Sequence, residues 1–302
     1  MLLNPAPPES KPHVLRRLMA EKTLTLPGAF NAPVAMLAER IGFEAVYISG
    51  AGLANGAGYP DVGLLGMDEM ARQAGYIANA VQVPCICDAD TGFGEVWQVM
   101  RTVRAYEREG LAGLHLEDQV MPKRCGHLDG KALIGVEEME RKIAAACAAR
   151  QDPNFVIIAR CDARAVESFE QSVERGQRYL AAGADAIFPE AMQSTEEFAR
   201  YAEQVKGPLL ANMTEFGKSP YLSVAEFAAM GYRLVIFPMS AFRAMMKAVE
   251  GLFRELKEKG TLEGALGQMQ TRDELYELLG YDEYTKLDAA LADRFPANGE
   301  NR

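Results

Sequence analysis

Five consecutive residues, Lys123-Arg124-Cys125-Gly126-His127, set a cysteine among basic side chains. Positive potential favours thiolate and draws a thiol below its ordinary value of roughly 8.5, so Cys125 is a candidate acid, base or nucleophile. The motif follows an apolar run with an acidic end, Leu114-His115-Leu116-Glu117-Asp118. Two more apolar runs end in the same way, at Asp88-Ala89-Asp90 and Phe188-Pro189-Glu190. If these ends share one mouth, cations, a thiol and carboxylates converge there. Asp88 and Asp90 lie two apart, which puts them on one face of a strand, and hard oxygens with room for waters are what Mg²⁺ requires. Zinc is disfavoured, because the chain has no H-E-x-x-H and no Cys/His cluster.

The elements that must position these residues follow from periodicity. Short apolar runs alternate with longer amphipathic stretches, and the cycle repeats eight times. The expected strands are 24–28, 45–49, 84–88, 113–117, 155–160, 186–189, 208–212 and 233–237. Near-continuous apolar strands need helices over them, and right-handed crossovers wind them round, so the pattern predicts a closed (β/α)8 TIM barrel. A doubly wound open sheet is the alternative, but it would leave two exposed edges, and a dinucleotide site is disfavoured because Gly50-Ala51-Gly52 and Gly92-Phe93-Gly94 lack the third glycine. No linker divides the chain, so residues 1–302 read as one domain, with the barrel at about 23–258 and C-terminal helices at about 260–295. Met1 to Pro12 and Pro296 to Arg302 read as frayed tails.

Barrel chemistry sits at the carboxyl ends of the strands. There the sequence supplies Tyr47 and Ser49, Asp88 and Asp90, His115 and Glu117, Arg160 and Asp162, Glu190, Asn212 and Thr214, then Ser240 and Arg243. Desolvating so many unpaired charges costs several kcal/mol each, on the order known for buried groups, so they pair with one another or hold an ion and a substrate. A net charge of -10 over 302 residues argues against nucleic acid or an anionic membrane as partner. Five cysteines without a C-x-x-C pair suit a reducing, cytoplasmic setting, and no apolar stretch approaches membrane-spanning length.

Taken together, Tyr47-Ile48-Ser49-Gly50, Asp88-Ala89-Asp90-Thr91-Gly92-Phe93-Gly94, Lys123-Arg124-Cys125-Gly126-His127 and Phe188-Pro189-Glu190-Ala191 resemble the isocitrate lyase and phosphoenolpyruvate mutase superfamily. The later segments Asn212-Met213-Thr214-Glu215-Phe216-Gly217, Ser240-Ala241-Phe242-Arg243 and Thr271-Arg272 are most similar to its methylisocitrate lyase branch. The resemblance implies substrate contacts from Ser49, Gly50, Ala51, Cys125, Gly126, Arg160, Glu190, Asn212, Met213, Thr214, Arg243 and Arg272. It implies Mg²⁺ at Asp88 and Asp90, with Mn²⁺ as a substitute, and supporting roles for Asp61, Glu117, Lys123 and His127.

The implied activity is retro-aldol cleavage of 2-methylisocitrate, a tricarboxylate, to pyruvate and succinate in propionate catabolism by the methylcitrate cycle. Tyr47 would act as base or relay and Cys125 as general acid. The family also implies a homotetramer with C-terminal helices swapped between subunits. Related lyases and hydrolases acting on 2,3-dimethylmalate or oxaloacetate are the alternative, and a non-catalytic binding or scaffold barrel is the rival of another class. Ala51 stands where many relatives have glycine, and Cys161 where threonine is usual.

Overall fold

The computed structural model describes residues 9–128 and 130–295. Eight strands form one sheet: β1 Leu24–Ala29, β2 Val46–Ile48, β3 Cys85–Asp88, β4 Gly113–Glu117, β5 Val156–Cys161, β6 Ala186–Pro189, β7 Leu210–Asn212 and β8 Leu234–Phe237. Every pairing is parallel, in the order β6-β5-β4-β3-β2-β1-β8-β7. A single parallel bridge, Ile187 to Leu209, closes β6 onto β7 and makes the sheet a (β/α)8 barrel. All residues of β3, β4, β5 and β6 are buried, as expected of strands covered by helices outside and by packed side chains within. The interior cluster includes Leu26, Ile86, Ile158, Phe188, Leu210 and Ile236. Leu15, Leu18 and Met19 of the helix Lys11–Glu21 pack against the same cluster.

That helix corrects the expectation of a frayed start. Ser10 caps it by accepting a hydrogen bond from the His13 backbone N–H, so order begins inside the stretch expected to be a tail. The rest of that stretch, and the tail from Pro296 onward, lie outside the described residues. Two short helices, Gly50–Gly56 and Ala163–Val166, follow β2 and β5 directly and have too few turns to show a period.

The chain falls into two compact units, with the break between Ala244 and Met245. It lies inside the helix Ser240–Lys259. The second unit continues through a 3₁₀ turn, Glu263–Gln268, into the helices Arg272–Leu279 and Tyr281–Arg294. Among the described residues no helix is long and apolar enough to cross a membrane.

Gly28 shows how tightly the strands must approach at the top of β1. A Cβ there would fall inside contact distance of the Pro238 and Phe237 carbonyls. Overpacking against backbone cannot relax by a rotamer change, so Gly28→Ala should lower stability by about 1–3 kcal/mol. A urea midpoint equal to that of the unsubstituted protein would contradict this packing.

Candidate active site

At the carboxyl ends of the strands lies a cavity of about 320 Å³. Tyr47 and Ser49 enter it from β2 and its continuation, and Asp88 from β3. Ser49 caps the helix Gly50–Gly56 through the Gly52 N–H at 3.3 Å. Gly50 is required there, because a Cβ would come within 2.7 Å of Asp88 Oδ2. Phe188, Ile236 and Pro238 supply an apolar wall.

The strand-face expectation for the two aspartates is not met. β3 ends at Asp88, and the backbone turns into the left-handed region at Asp90 (φ 45°). Asp88 Oδ1 accepts the Asp90 N–H at 2.9 Å, while the Asp90 carboxylate meets Lys123 Nζ at 2.7 Å. Lys123 also binds Asp61. Burial, with Asp88 nearby, pushes Asp90 up to about 6 despite Lys123. Burial acts on Asp88 too, but the positive field of His115, Lys123 and Arg160 outweighs it and holds that carboxyl below the usual range. Near neutral pH the field comes from Lys123 and Arg160, because burial pushes His115 down to about 4 and leaves it uncharged.

Tyr47 Oη lies 2.8 Å from His115 Nε2, and His115 Nδ1 lies 3.7 Å from Asp88 Oδ1. A carboxylate facing Nδ1 favours the tautomer with its proton there, so Nε2 accepts from the Tyr47 hydroxyl. Burial drives the Tyr47 phenol well above its ordinary value, so it stays protonated near neutral pH.

Arg160 is the centre of the opposite charge. It donates to Asp162 Oδ2 at 2.9 Å, stands 3.1 Å from Glu117 Oε2 and 3.9 Å from Glu190 Oε1, and lies over the Phe188 ring. Glu190, although buried, is held well below the usual carboxylate range by Arg160 and His127. His127 Nε2 is 3.1 Å from it, and the Nδ1 of the same ring accepts the Lys218 N–H at 3.0 Å. Asn212 Nδ2 donates to both Glu190 oxygens. Arg243 reaches Thr214 at 3.2 Å and Glu215 at 2.5 Å.

Cys125 lines this cavity, but its thiol is not the thiolate that its neighbours in sequence suggest. Burial pushes it up, and Glu190 and Asp61 add to that against Arg160 and the His127 N–H. The sequence reading fails because the cations are engaged elsewhere: Lys123 turns to Asp61 and Asp90, Arg124 is exposed, and His127 faces Glu190.

Of the residues singled out in the sequence, Tyr47, Ser49, Ala51, Asp61 and Asp88 line the cavity from one arc. Cys125, Gly126, His127, Arg160 and Glu190 do so from another, with Asn212, Thr214 and Arg243 completing the wall. Asp90, Glu117 and Lys123 are buried behind it, Gly50 backs Asp88, and Met213 is buried with its sulfur accepting the Leu222 N–H. Arg272 is exposed at the start of the helix Arg272–Leu279 and is not among the lining residues. Lys131 was not anticipated, although it lies in the thiol loop. Its ammonium donates to the Gly126 carbonyl at 2.5 Å and to Asp162 Oδ1 at 2.7 Å.

Among the described residues no three His, Cys, Asp or Glu side chains form a ready-made metal cage. The donor set nevertheless fits Mg²⁺, which keeps several waters and takes one or two protein carboxylates. Glu117 Oε1, buried, has no hydrogen-bond partner among the described residues, while Glu117 Oε2 and Asp90 Oδ1 meet only Arg160 and Lys123, each through an ion pair. Five buried carboxylates (Asp88, Asp90, Glu117, Asp162 and Glu190) face only Lys123, Lys131 and Arg160 as fixed cations.

The mouth of the barrel thus joins carboxylates, guanidinium groups and a protonated thiol in one small cavity. A family model described as phosphoenolpyruvate phosphomutase matches residues 15–257, and the chain belongs to that family. It is 54% identical over 280 residues to the 2-methylisocitrate lyase of Aeropyrum pernix, covering 92% of this chain and 90% of the relative. It is also similar to the crystal structure of 2,3-dimethylmalate lyase, at TM-score 0.89 and 36% identity, covering 98% of this chain and all of the other. A structure of phosphonopyruvate hydrolase with oxalate and Mg²⁺ matches at TM-score 0.85 and 33% identity, over 95% and 99% of the two chains. The chain is thus an enzyme, a carbon–carbon lyase.

The raised thiol has a kinetic signature. Iodoacetamide reacts with thiolate, so labelling of Cys125 should be slow at pH 7 and should rise only above the pH at which an unperturbed thiol ionises. Labelling that is half-maximal below pH 8 would contradict the buried, protonated state.

Proposed function

We propose that the enzyme cleaves 2-methylisocitrate to pyruvate and succinate with the help of Mg²⁺, as in the methylcitrate cycle of propionate catabolism. The observation that carries this reading is the meeting, in one cavity, of the protonated Cys125 thiol with Asp88, Arg160 and the Tyr47–His115 pair. Cleavage between carbons 2 and 3 requires loss of the tertiary hydroxyl proton and gain of a proton by the succinate fragment. Tyr47 Oη receives the hydroxyl proton as its own passes toward His115 Nε2. Cys125 Sγ then donates its proton to the carbon of the succinate fragment. Arg160 and Arg243 orient the carboxylates of the substrate by charge-assisted hydrogen bonds. When bound near Asp88, with Asp90 and Glu117 in support, Mg²⁺ supplies Lewis acidity that stabilises negative charge on substrate oxygen.

Methylisocitrate is favoured over 2,3-dimethylmalate by the higher identity to the lyase named for it, 54% against 36%. The apolar wall of Phe188, Ile236 and Pro238 suits the extra methyl group. We also infer a cytoplasmic homotetramer in which Arg272 contributes to a substrate site. The free state of all five cysteines and the exposed Phe253, Leu256, Leu287 and Leu291 of the C-terminal unit support this.

A coupled pyruvate assay tests the function. Turnover should stop in excess EDTA and return with Mg²⁺ or Mn²⁺, and Asp88→Ala should not be restored by ordinary metal concentrations. Full turnover in EDTA would contradict the metal reading. A higher kcat/KM for 2,3-dimethylmalate in the same assay, or for oxaloacetate with oxalate as the product measured, would replace the substrate.

A further inference from the structure

The thiol loop is pinned to the barrel mouth at several points. At its base Gln119 bridges Leu133, and the Gln119 side chain exchanges hydrogen bonds with the backbone of Arg124. Nearer the tip, Lys123 reaches the β3 side through Asp90, and His127 reaches Glu190 after β6. Between them lies Gly126, packed so closely that a Cβ would overlap Glu190 and crowd Arg160. Among the described residues, the one donor to the Gly126 carbonyl is Lys131 Nζ.

Lys131 is not needed to satisfy Asp162. That carboxylate already accepts from Arg160 Nε at 2.9 Å and Nη2 at 3.2 Å, and the Asp162 N–H is tied to Asp118 Oδ1 at 2.9 Å. Asp118 is itself anchored by Tyr179 at 2.7 Å and Arg175 at 3.2 Å. Asp162 is therefore a fixed post, and the Lys131 side chain, 1% exposed, spans from that post to the loop backbone one residue past the thiol. A long, flexible side chain is seldom buried so completely without a specific anchoring role.

We propose that Lys131 is a positioning residue: its ammonium fastens the Gly126 carbonyl to Asp162 and thereby holds the Cys125 thiol in the cavity wall. The inference rests on the reading of Cys125 as proton donor, and it adds the group that sets where the donor stands. Releasing the carbonyl lets the tip of the loop open locally while the base pairing at Gln119 and Leu133 remains. The donor is then displaced with substrate still bound, which lowers kcat more than it alters KM.

The test uses Lys131→Met in the full chain, which keeps the length of the side chain and removes the ammonium. Two readouts are taken: steady-state kinetics, and the rate of iodoacetamide labelling of Cys125 at fixed pH with and without succinate. The expected result is a kcat lower by roughly a hundredfold with KM within about threefold. Labelling should be faster by roughly tenfold, and protection by succinate should be lost. Unchanged labelling, whether or not kcat falls, would overturn the proposal, because Lys131 would then not govern the position of the thiol. Should Lys131→Met fail to fold, Lys131→Gln carries the same two measurements with the same expected and contrary results. A Cys125→Ser enzyme of near-normal kcat would instead remove the proton-donor reading, and labelling of Lys131→Met would still report on the fastening of the loop.

Discussion

The constraint on which the site depends is an excess of buried carboxylate at one end of the barrel. Asp88, Asp90, Glu117, Asp162 and Glu190 sit within a few strand ends of each other, all nearly inaccessible to solvent. Leaving such charges unpaired costs several kcal/mol each, of the order found when one partner of a buried pair is removed. The barrel itself answers with one central cation, Arg160, which touches three of the five. The remainder is met by groups that arrive from elsewhere: two lysines and a histidine from the thiol loop, and, on our reading, a divalent ion.

That arrangement explains why the loop has its particular charges. Lys123, His127 and Lys131 each plug into an acid from a different strand end, and the charge of the two lysines is engaged there rather than at the thiol. Cys125, between them in sequence, is left in a buried environment that keeps its proton. The same electrostatics thus closes the loop and sets the thiol in the form a general acid requires. Tyr47 is handled alike: burial holds its proton, and the neutral His115 behind it offers a place for that proton to go.

Much of this was legible before the fold was seen. The apolar runs located β4 and β6 to the residue and the others within one or two positions, because strands buried on both faces leave an unmistakable composition. The acidic and basic residues at the run ends were gathered into one cavity as barrel topology demands. What the sequence hid was direction. Adjacent letters made Lys123 and Arg124 look like neighbours of the thiol, whereas one turns inward to Asp61 and the other faces solvent. The left-handed turn at Asp90 breaks the strand periodicity that placed it beside Asp88. Lys131 gave no signal, since a lysine six residues beyond a cysteine reads as an ordinary solvated loop charge. Arg272 rested on resemblance alone, and it lies in the other compact unit.

The central claim is that a protonated thiol, fixed in the cavity wall, delivers its proton to one face of the succinate fragment. Cleavage of 2-methylisocitrate in D₂O tests it, with the succinate product examined for deuterium content and for configuration at the deuterated carbon. A positioned donor predicts one deuterium per succinate in a single configuration. An equal mixture of configurations would mean that solvent, not Cys125, protonates the product.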